Sequence, residues 1–225
     1  MLEKVSFSVA PKETVVLVGQ TGAGKSTCAN LLLRYWDVDQ GKITINGTDI
    51  RDYSIASLRD MISAVQQETY LFHDSVKENI RIGKSGASDE EIRLAAVKAN
   101  AAEFIEELPN GYDTITGERG YRLSGGQRQR ISIARTLLRD TPIVIFDEAV
   151  SNLDTENEKY IQKTLRDQLK DKTVIMIAHR LSTIVAADKI VMLDHGRVVA
   201  QGTHEDLLKS SEAYYSLIHN QLLQY

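Results

Sequence analysis

Five runs of apolar and β-branched residues recur along the chain and are typical of β-strands. They are ETVVLVG, KITINGTDI, TPIVIFDE, TVIMIAHR and DKIVMLDHGRVVAQG. The first, third and fourth runs are almost continuously apolar, as is typical of strands that are buried on both faces of a parallel sheet. The pattern therefore predicts an α/β fold with a largely parallel sheet and small antiparallel β elements.

Between residues 74 and 140 the apolar positions change to helical spacing. The stretch SDEEIRLAAVKANAAEFIEEL begins with a capping box, Ser88 followed by Glu91, and continues as an apolar stripe. We expect a single domain over residues 1–225, in which 1–73 and 141–225 form the α/β core. Residues 74–140 form an inserted helical subdomain.

Composition narrows the class of protein. The chain has 225 residues and a formal net charge of -4, from 27 Lys and Arg against 31 Asp and Glu, which argues against a general nucleic-acid binder. The single cysteine, Cys28, excludes an intramolecular disulfide framework, and we expect it simply to pack in the core. No apolar run approaches the length of a membrane span, so we expect a chain that is soluble as an isolated domain.

The stretch GQTGAGKST at 19–27 matches the phosphate-binding loop pattern G-x-x-x-x-G-K-S. It follows the predicted strand TVVLV and precedes the helical run TCANLLLRYW, so the core is expected to be that of a P-loop nucleotide hydrolase. Lys25 would neutralise β- and γ-phosphate oxygens, and Ser26 would offer its hydroxyl to Mg²⁺. The predicted nucleotide contacts are Gly19, Thr21, Gly22, Ala23, Gly24, Lys25, Ser26 and Thr27.

Polar residues that follow two later strands are candidates for catalysis. Asp147 and Glu148 end the run PIVIFDE, where open α/β sheets place their ligand chemistry. After a phosphate loop, Asp147 is expected to hold the metal and Glu148 to polarise the attacking water. His179 follows the run TVIMIA and is a candidate γ-phosphate contact, although such a histidine is more often a satisfied polar group.

A second glycine turn, LSGGQ, opens a basic helix. Ser124 and Gln127 have capping-box spacing, so a purely structural explanation is a capped helix whose apolar stripe packs on the core. That explanation does not account for the cations at the positive end of the helix dipole, which are Arg119, Arg122, Arg128 and Arg130. A head-to-tail two-fold dimer would let this turn face the nucleotide of the other subunit.

With GQTGAGKST, LSGGQ, VIFDE and IAHR in this order, the chain resembles the ATP-binding cassette (ABC) family over essentially its whole length, specifically the nucleotide-binding domain of exporters. The resemblance implies ATP and Mg²⁺ as cofactors. It implies that Gln67 is a Mg²⁺ ligand, with Gln66 as a rival, and that His179 contacts the γ-phosphate. The trans contacts that it implies are Ser124, Gly125, Gly126, Gln127 and Asp154, although Asp154 alone would also suit a helix N-cap.

The resemblance also sets expectations about partners and location. The expected partners are a second nucleotide-binding domain, identical or paralogous, and the transmembrane domains of an exporter. The expected location is the cytoplasmic face of the plasma (inner) membrane. The family's usual first strand and adenine-stacking aromatic have no counterpart ahead of MLEKVSFSVAPKETVVLVG, so we expect part of a longer half-transporter. The alternatives are a cassette ATPase of DNA repair or chromosome organisation and a regulator that does not hydrolyse ATP.

Overall fold

A computed structural model describes residues 2–147, 167–178 and 180–222. Its principal sheet has the strand order β4-β5-β6-β1-β7-β8, and a separate two-stranded sheet pairs β2 with β3. The strands are β1 (Thr14–Val18), β2 (Thr44–Ile45), β3 (Thr48–Asp49), β4 (Ile62–Val65), β5 (Ile143–Asp147), β6 (Thr173–Ile177), β7 (Lys189–Asp194) and β8 (Arg197–Gly202).

Helices flank the sheet. They are α1 (Lys25–Leu32), α2 (Ile55–Met61), α3 (Val76–Arg81), α4 (Asp89–Lys98), α5 (Ala102–Glu106), α6 (Gly125–Arg139), α7 (Leu181–Val185), α8 (His204–Ser210) and α9 (Glu212–Leu222). Short 3₁₀ turns cover Ile50–Asp52, Gly111–Asp113 and Glu118–Gly120. Among the residues with described structure, no helix combines the length and apolar character that crossing a membrane requires.

The continuously apolar runs form the centre of the sheet. β4, β5, β6, β1 and β7 pair in parallel, and β8 joins the described sheet antiparallel to β7. In β1, Val15, Val16 and Leu17 are completely buried because helices or loops cover both faces. The predicted α/β fold with a largely parallel sheet is confirmed.

Two of the apolar runs fold as hairpins rather than single strands. KITINGTDI divides into β2 and β3 around Asn46 (φ 51°) and Gly47 (φ 84°). DKIVMLDHGRVVAQG divides into β7 and β8 around His195 (φ 44°) and Gly196 (φ 78°). Both turns have two successive residues with positive φ, the geometry that closes tight hairpins between right-handed twisted strands.

The structure adds one strand that the apolar pattern did not predict. β4 has the sequence ISAV, which is short and interrupted by Ser63. The Ser63 hydroxyl is hydrogen-bonded to Thr141 Oγ1 at 2.7 Å, so this polar group is satisfied inside the sheet. The strand exists because β5 offers a parallel partner, an interaction that local sequence does not encode.

Residues 74–140 contain helices α3 to α6, and both predicted capping boxes are present. In α4, Ser88 and Glu91 exchange bonds of 2.8 and 3.2 Å; in α6, Ser124 and Gln127 exchange bonds of 2.9 and 3.2 Å. The stripe of α6 packs on the core, with Ile131 and Ala134 fully buried and Leu137 and Leu138 partly so. Because α6 also packs on β4, the division into core and subdomain at residues 74 and 140 stays a prediction.

Candidate nucleotide site

The loop between β1 and α1 needs glycine at defined positions. At Gly19 (φ 146°) an added Cβ would lie 2.1 Å from the Leu193 carbonyl oxygen, so no side chain fits. Gly24 (φ 103°) is the left-handed N-cap of α1. Gly22 (φ 82°) has nothing within 4 Å of its Cβ position. The loop is therefore anchored at Gly19 and open to solvent at Gly22, as a loop that receives a ligand must be.

Lys25 is buried beneath this loop. Lys25 is only 5% exposed, and its ammonium donates to the carbonyls of Gly19 at 2.8 Å and Gln20 at 3.0 Å. Burying an ammonium is unfavourable unless acceptors surround it, and here the loop supplies them. The predicted phosphate-neutralising charge thus lies against the loop backbone.

Ser26 and Asp147 meet although 121 residues separate them in sequence. Ser26 Oγ donates to Asp147 Oδ1 at 3.2 Å, because α1 starts beside the carboxyl end of β5. Asp147 is the last residue of β5 and is half-buried. A hydroxyl and a carboxylate at this separation are hard oxygen donors of the kind that Mg²⁺ prefers, so the residues present fit the predicted metal.

Gln66 and Gln67 follow β4 at the same edge of the sheet. Val65 pairs with Phe146, so the residues after β4 lie beside Asp147. Gln66 Nε2 donates to the hydroxyl of Tyr35 at 3.2 Å, a contact that the sequence did not suggest. Gln66 therefore has a partner on the α1 side, and Gln67 as the metal-contacting amide stays a prediction.

Cys28 lies one turn into α1 and packs in the core as expected. It is 5% exposed, and burial raises the pKa of its thiol to about 11. A thiol with this pKa is almost entirely protonated at neutral pH and is a poor nucleophile. Cys28 thus takes part in packing rather than chemistry.

The second glycine turn lies at the start of α6, with Ser124 and Gly125 exposed. The arginines around it differ in their surroundings. Arg128 Nη1 donates to the Leu123 carbonyl at 2.6 Å, within the turn itself. Arg122 lies over the ring of Tyr121, 5.6 Å from its centroid, and Arg119 is exposed.

Arg130 does not contribute to an anion site at the helix start, and that expectation is wrong. The residue is buried, its Nη1 donates to the Asn100 carbonyl at 2.9 Å, and its guanidinium lies 4.7 Å from the centroid of Phe104. Its charge is directed at the connection between α4 and α5, because residues on this face of α6 pack inward. The cationic surface near Ser124 is therefore smaller than the sequence suggested.

Three predicted site residues lie outside the described residues. They are Glu148, Asp154 and His179. The residues that the structure brings together are the loop, Lys25, Ser26 and Asp147. Sequence reasoning missed Tyr35 as the partner of Gln66. It also missed Leu2, whose Cδ2 lies 2.4 Å from the position that a Cβ on Gly24 would take. No motif marks either contact, since both join distant parts of the chain.

Comparisons with known proteins agree with these features. A family model described as ABC transporter matches residues 2–151. The ATP-dependent lipid A-core flippase of Desulfotalea psychrophila is 51% identical over 220 residues, which cover 98% of this chain and 38% of the flippase. The putative multidrug export ATP-binding/permease protein YgaD of Bacillus subtilis is 51% identical over 217 residues, which cover 96% of this chain and 37% of that protein.

A solved structure is also similar. It is that of a bacterial Atm1-family ABC exporter with ATP bound, at 47% identity and a TM-score of 0.94, and the match covers 98% of this chain and 38% of the exporter chain. The chain thus spans 38% of the flippase and of that exporter chain.

Proposed function

The chain belongs to the ABC transporter family, as its motifs predict, and on this basis we propose that it is the MgATP-hydrolysing motor domain of an exporter. The observation that carries the proposal is the meeting of three elements: the glycine loop, the buried Lys25 ammonium beneath it, and the Ser26–Asp147 pair at 3.2 Å. Phosphoryl transfer requires a loop that binds the phosphates, a positive charge beside them and oxygen ligands for a metal ion, and these three elements match those requirements.

The proposal assigns a role to each residue of the site. The loop amides and Lys25 bind the phosphates, and Ser26, Asp147 and Gln67 hold Mg²⁺. The metal, when bound, neutralises negative charge that develops on the transferred phosphoryl group. Glu148 polarises the attacking water and His179 contacts the γ-phosphate; both roles come from the family resemblance.

The proposal also includes partners. The relatives are named as a flippase and as an ATP-binding/permease protein, which supports fused or associated transmembrane domains and a membrane location for the whole protein. We propose that the Ser124 turn, with Gly125, Gly126, Gln127 and Asp154, completes the site of a second nucleotide-binding domain. The domain would then work as a head-to-tail dimer on the cytoplasmic side of the membrane.

A cassette of the chromosome-organising class is disfavoured by the continuous stretch from Leu2 to Asp147. Those ATPases are split between phosphate loop and metal-binding strand by a long coiled coil. Here the longest helix of that stretch is α6, with 15 residues, and it packs on the sheet instead of leaving it.

The proposal is tested by measuring phosphate release from MgATP by the chain and by its Lys25→Ala variant. We expect Lys25→Ala to lose at least about 100-fold in kcat, because a preorganised charge at the transferred group is absent. The matched control is Lys12→Ala, which removes an exposed lysine whose one ion pair within the described residues is with Asp171 at 3.0 Å. Equal rates for both variants and the unaltered chain would contradict a role for this loop in hydrolysis.

A further inference from the structure

The segment that follows Gln67 is held firmly, although it has no regular structure. Leu71 is completely buried, whereas its neighbours Tyr70 and Phe72 are each about half exposed. The rings of Tyr70 and Phe72 meet edge to face with centroids 5.1 Å apart. Because this segment belongs to no helix or strand, its backbone N–H and C=O groups need hydrogen-bond partners elsewhere. Side chains from the helical part of the molecule supply them.

Arg135 of α6 provides the first set of these partners. Its Nε donates to the Asn79 carbonyl at 2.9 Å, its Nη2 to Asn79 Oδ1 at 3.3 Å and its Nη1 to the Tyr70 carbonyl at 3.3 Å. One planar guanidinium therefore joins three elements: α6, α3 and the segment at Tyr70. A fork with several donors in fixed directions sets an orientation, which a lysine ammonium cannot do equally well.

Asn79 extends the same connection. It is fully buried, its amide nitrogen donates to the carbonyls of Phe72 and Ser75 at 3.0 Å, and its Oδ1 accepts from the Phe72 amide at 2.8 Å. The side chain thus pairs both backbone groups of Phe72 as a neighbouring strand would. Because Arg135 also binds this side chain, the orientation of Asn79 depends on α6.

Two close backbone approaches reinforce the arrangement. A Cβ at Gly83, just after α3, would lie 2.2 Å from the Arg135 carbonyl oxygen, so α3 and α6 touch backbone to backbone. On the other side, buried Thr116 donates through Oγ1 to the Phe72 carbonyl at 2.8 Å. The segment 70–74 is therefore held between α6 and the stretch that leads to the Ser124 turn.

The charge of Arg135 suits positioning better than ion pairing. Among the described residues all of its acceptors are uncharged oxygens. Burial lowers the pKa of Arg135 from its usual value, although the group stays charged at neutral pH. Hydrogen bonds from a charged donor to neutral acceptors are strong and directional, so the guanidinium determines where the Tyr70 carbonyl and Asn79 lie relative to α6.

We propose that Arg135 is a positioning residue of the nucleotide site, which fixes the segment that follows Gln67 relative to the helix that begins at Ser124. This inference rests on the proposed function, because it assigns Arg135 to the alignment of a metal-contacting loop with a nucleotide-contacting turn. In the proposed role Arg135 contacts neither nucleotide nor metal. It keeps the two contacts in a fixed relation through α6 and Asn79.

Two variants and one control test the proposal. Arg135→Met keeps the length of the side chain and removes all donors, and Arg135→Lys keeps the charge but cannot reach Asn79 and Tyr70 together. The control is Arg139→Met, which alters an arginine of the same helix whose ion pair in the described part of the chain is at the surface, with Asp60 at 3.6 Å. Melting curves establish that each variant folds; if Arg135→Met does not, Arg135→Lys is examined by the same measurements.

The first measurement is amide hydrogen exchange without nucleotide. We expect Arg135→Met to speed exchange in residues 70–75 and at Gln127 and Arg128, whose amides donate to Ser124. The amide of Cys28, which bonds to Gly24 in the phosphate-loop helix, should be unchanged. Unchanged exchange in residues 70–75, or faster exchange spread equally over all helices including α1, would overturn the proposal.

The second measurement separates kcat from KM for MgATP. We expect Arg135→Met to lower kcat at least about tenfold with KM within about twofold, since misplaced groups cost rate while the phosphate loop is intact. Arg135→Lys should recover part of the rate, and Arg139→Met should match the unaltered chain. A kcat for Arg135→Met equal to that of Arg139→Met would overturn the proposal. If the unaltered chain hydrolyses no ATP, the proposed function fails, and the exchange measurement still decides whether Arg135 fixes the segment after Gln67 relative to α6.

Discussion

At the scale of single residues, two glycines of the phosphate loop are required for different reasons. Gly19 has no room for a side chain, because the backbone of β7 lies 2.1 Å from its Cβ position. Gly22 has open space around it, and only its positive φ of 82° disfavours other residues. Steric exclusion by a buried backbone is costly to relieve, whereas a left-handed conformation costs a limited and known amount.

We therefore expect Gly19→Ala and Gly22→Ala to differ in their effect on the free energy of unfolding, measured by urea denaturation. Gly22→Ala should lose about 1 to 2 kcal/mol, the cost of a left-handed alanine. Gly19→Ala should lose about 3 kcal/mol or more, because the clash with the Leu193 carbonyl displaces β7 or the loop. Equal losses would show that the loop moves away from β7 without strain.

At the scale of elements, the same capping motif occurs at two helix starts with different surroundings. Ser88 with Glu91 caps α4, and Ser124 with Gln127 caps α6, in both cases by reciprocal hydrogen bonds. The cap alone thus explains why serine stands at both positions. Only the Ser124 turn is proposed to contact nucleotide, so α4 is an internal control for the structural part of its role.

We expect Ser88→Ala and Ser124→Ala each to lower the free energy of unfolding by about 1 kcal/mol, because each removes an N-cap oxygen. Only Ser124→Ala should also lower the ATPase rate, by about tenfold or more, since it removes a hydrogen-bonding group from the proposed nucleotide contact. Urea denaturation and steady-state phosphate release check the two parts. If the ATPase rate of Ser124→Ala is as high as that of Ser88→Ala, the Ser124 hydroxyl caps α6 and does not contribute to the nucleotide site.

At the scale of the whole molecule, the phosphate loop and the Ser124 turn belong to different parts of one chain. The loop leads into α1, which packs against β5, whereas the turn leads into α6, which packs against β4, α3 and α4. The proposed head-to-tail arrangement of two copies would give each loop a turn from its partner, as a two-fold interface with two equivalent sites requires.

A mixing experiment tests this arrangement. Lys25→Ala disables the loop and spares the turn, whereas Ser124→Arg places a bulky side chain at the turn and spares the loop. Each variant alone should be nearly inactive, and an equimolar mixture at concentrations that support dimerisation should recover part of the ATPase rate. In a mixed dimer one of the two sites is rebuilt.

Recovery should be greatest near equal proportions of the two proteins. A mixture without recovery, although cross-linking demonstrates mixed dimers and each mixed dimer binds MgATP, would count against a turn that acts on the partner's nucleotide. The double variant Lys25→Ala with Ser124→Arg is the control, because mixing it with either single variant rebuilds no complete site.

The sequence by itself determined those features whose physical cause lies within a few neighbouring residues. Continuous burial of the run TVVLV, the loop that ends at Lys25 and Ser26, and the serine caps of α4 and α6 are all of this kind. Each depends on side-chain period, on a glycine's backbone freedom or on a bond between residues i and i+3. Because these causes lie within a few residues of one another, the local pattern predicts the features.

Only the tertiary structure decided which distant residues meet. It brought Ser26 to Asp147 and Gln66 to Tyr35, paired β4 with β5, and turned Arg130 away from the helix start toward Asn100. It also joined Arg135 to Asn79 and Tyr70, none of which any motif marked. The reason is that strand order and helix packing set these contacts, and they depend on the burial of the whole apolar surface rather than on local spacing.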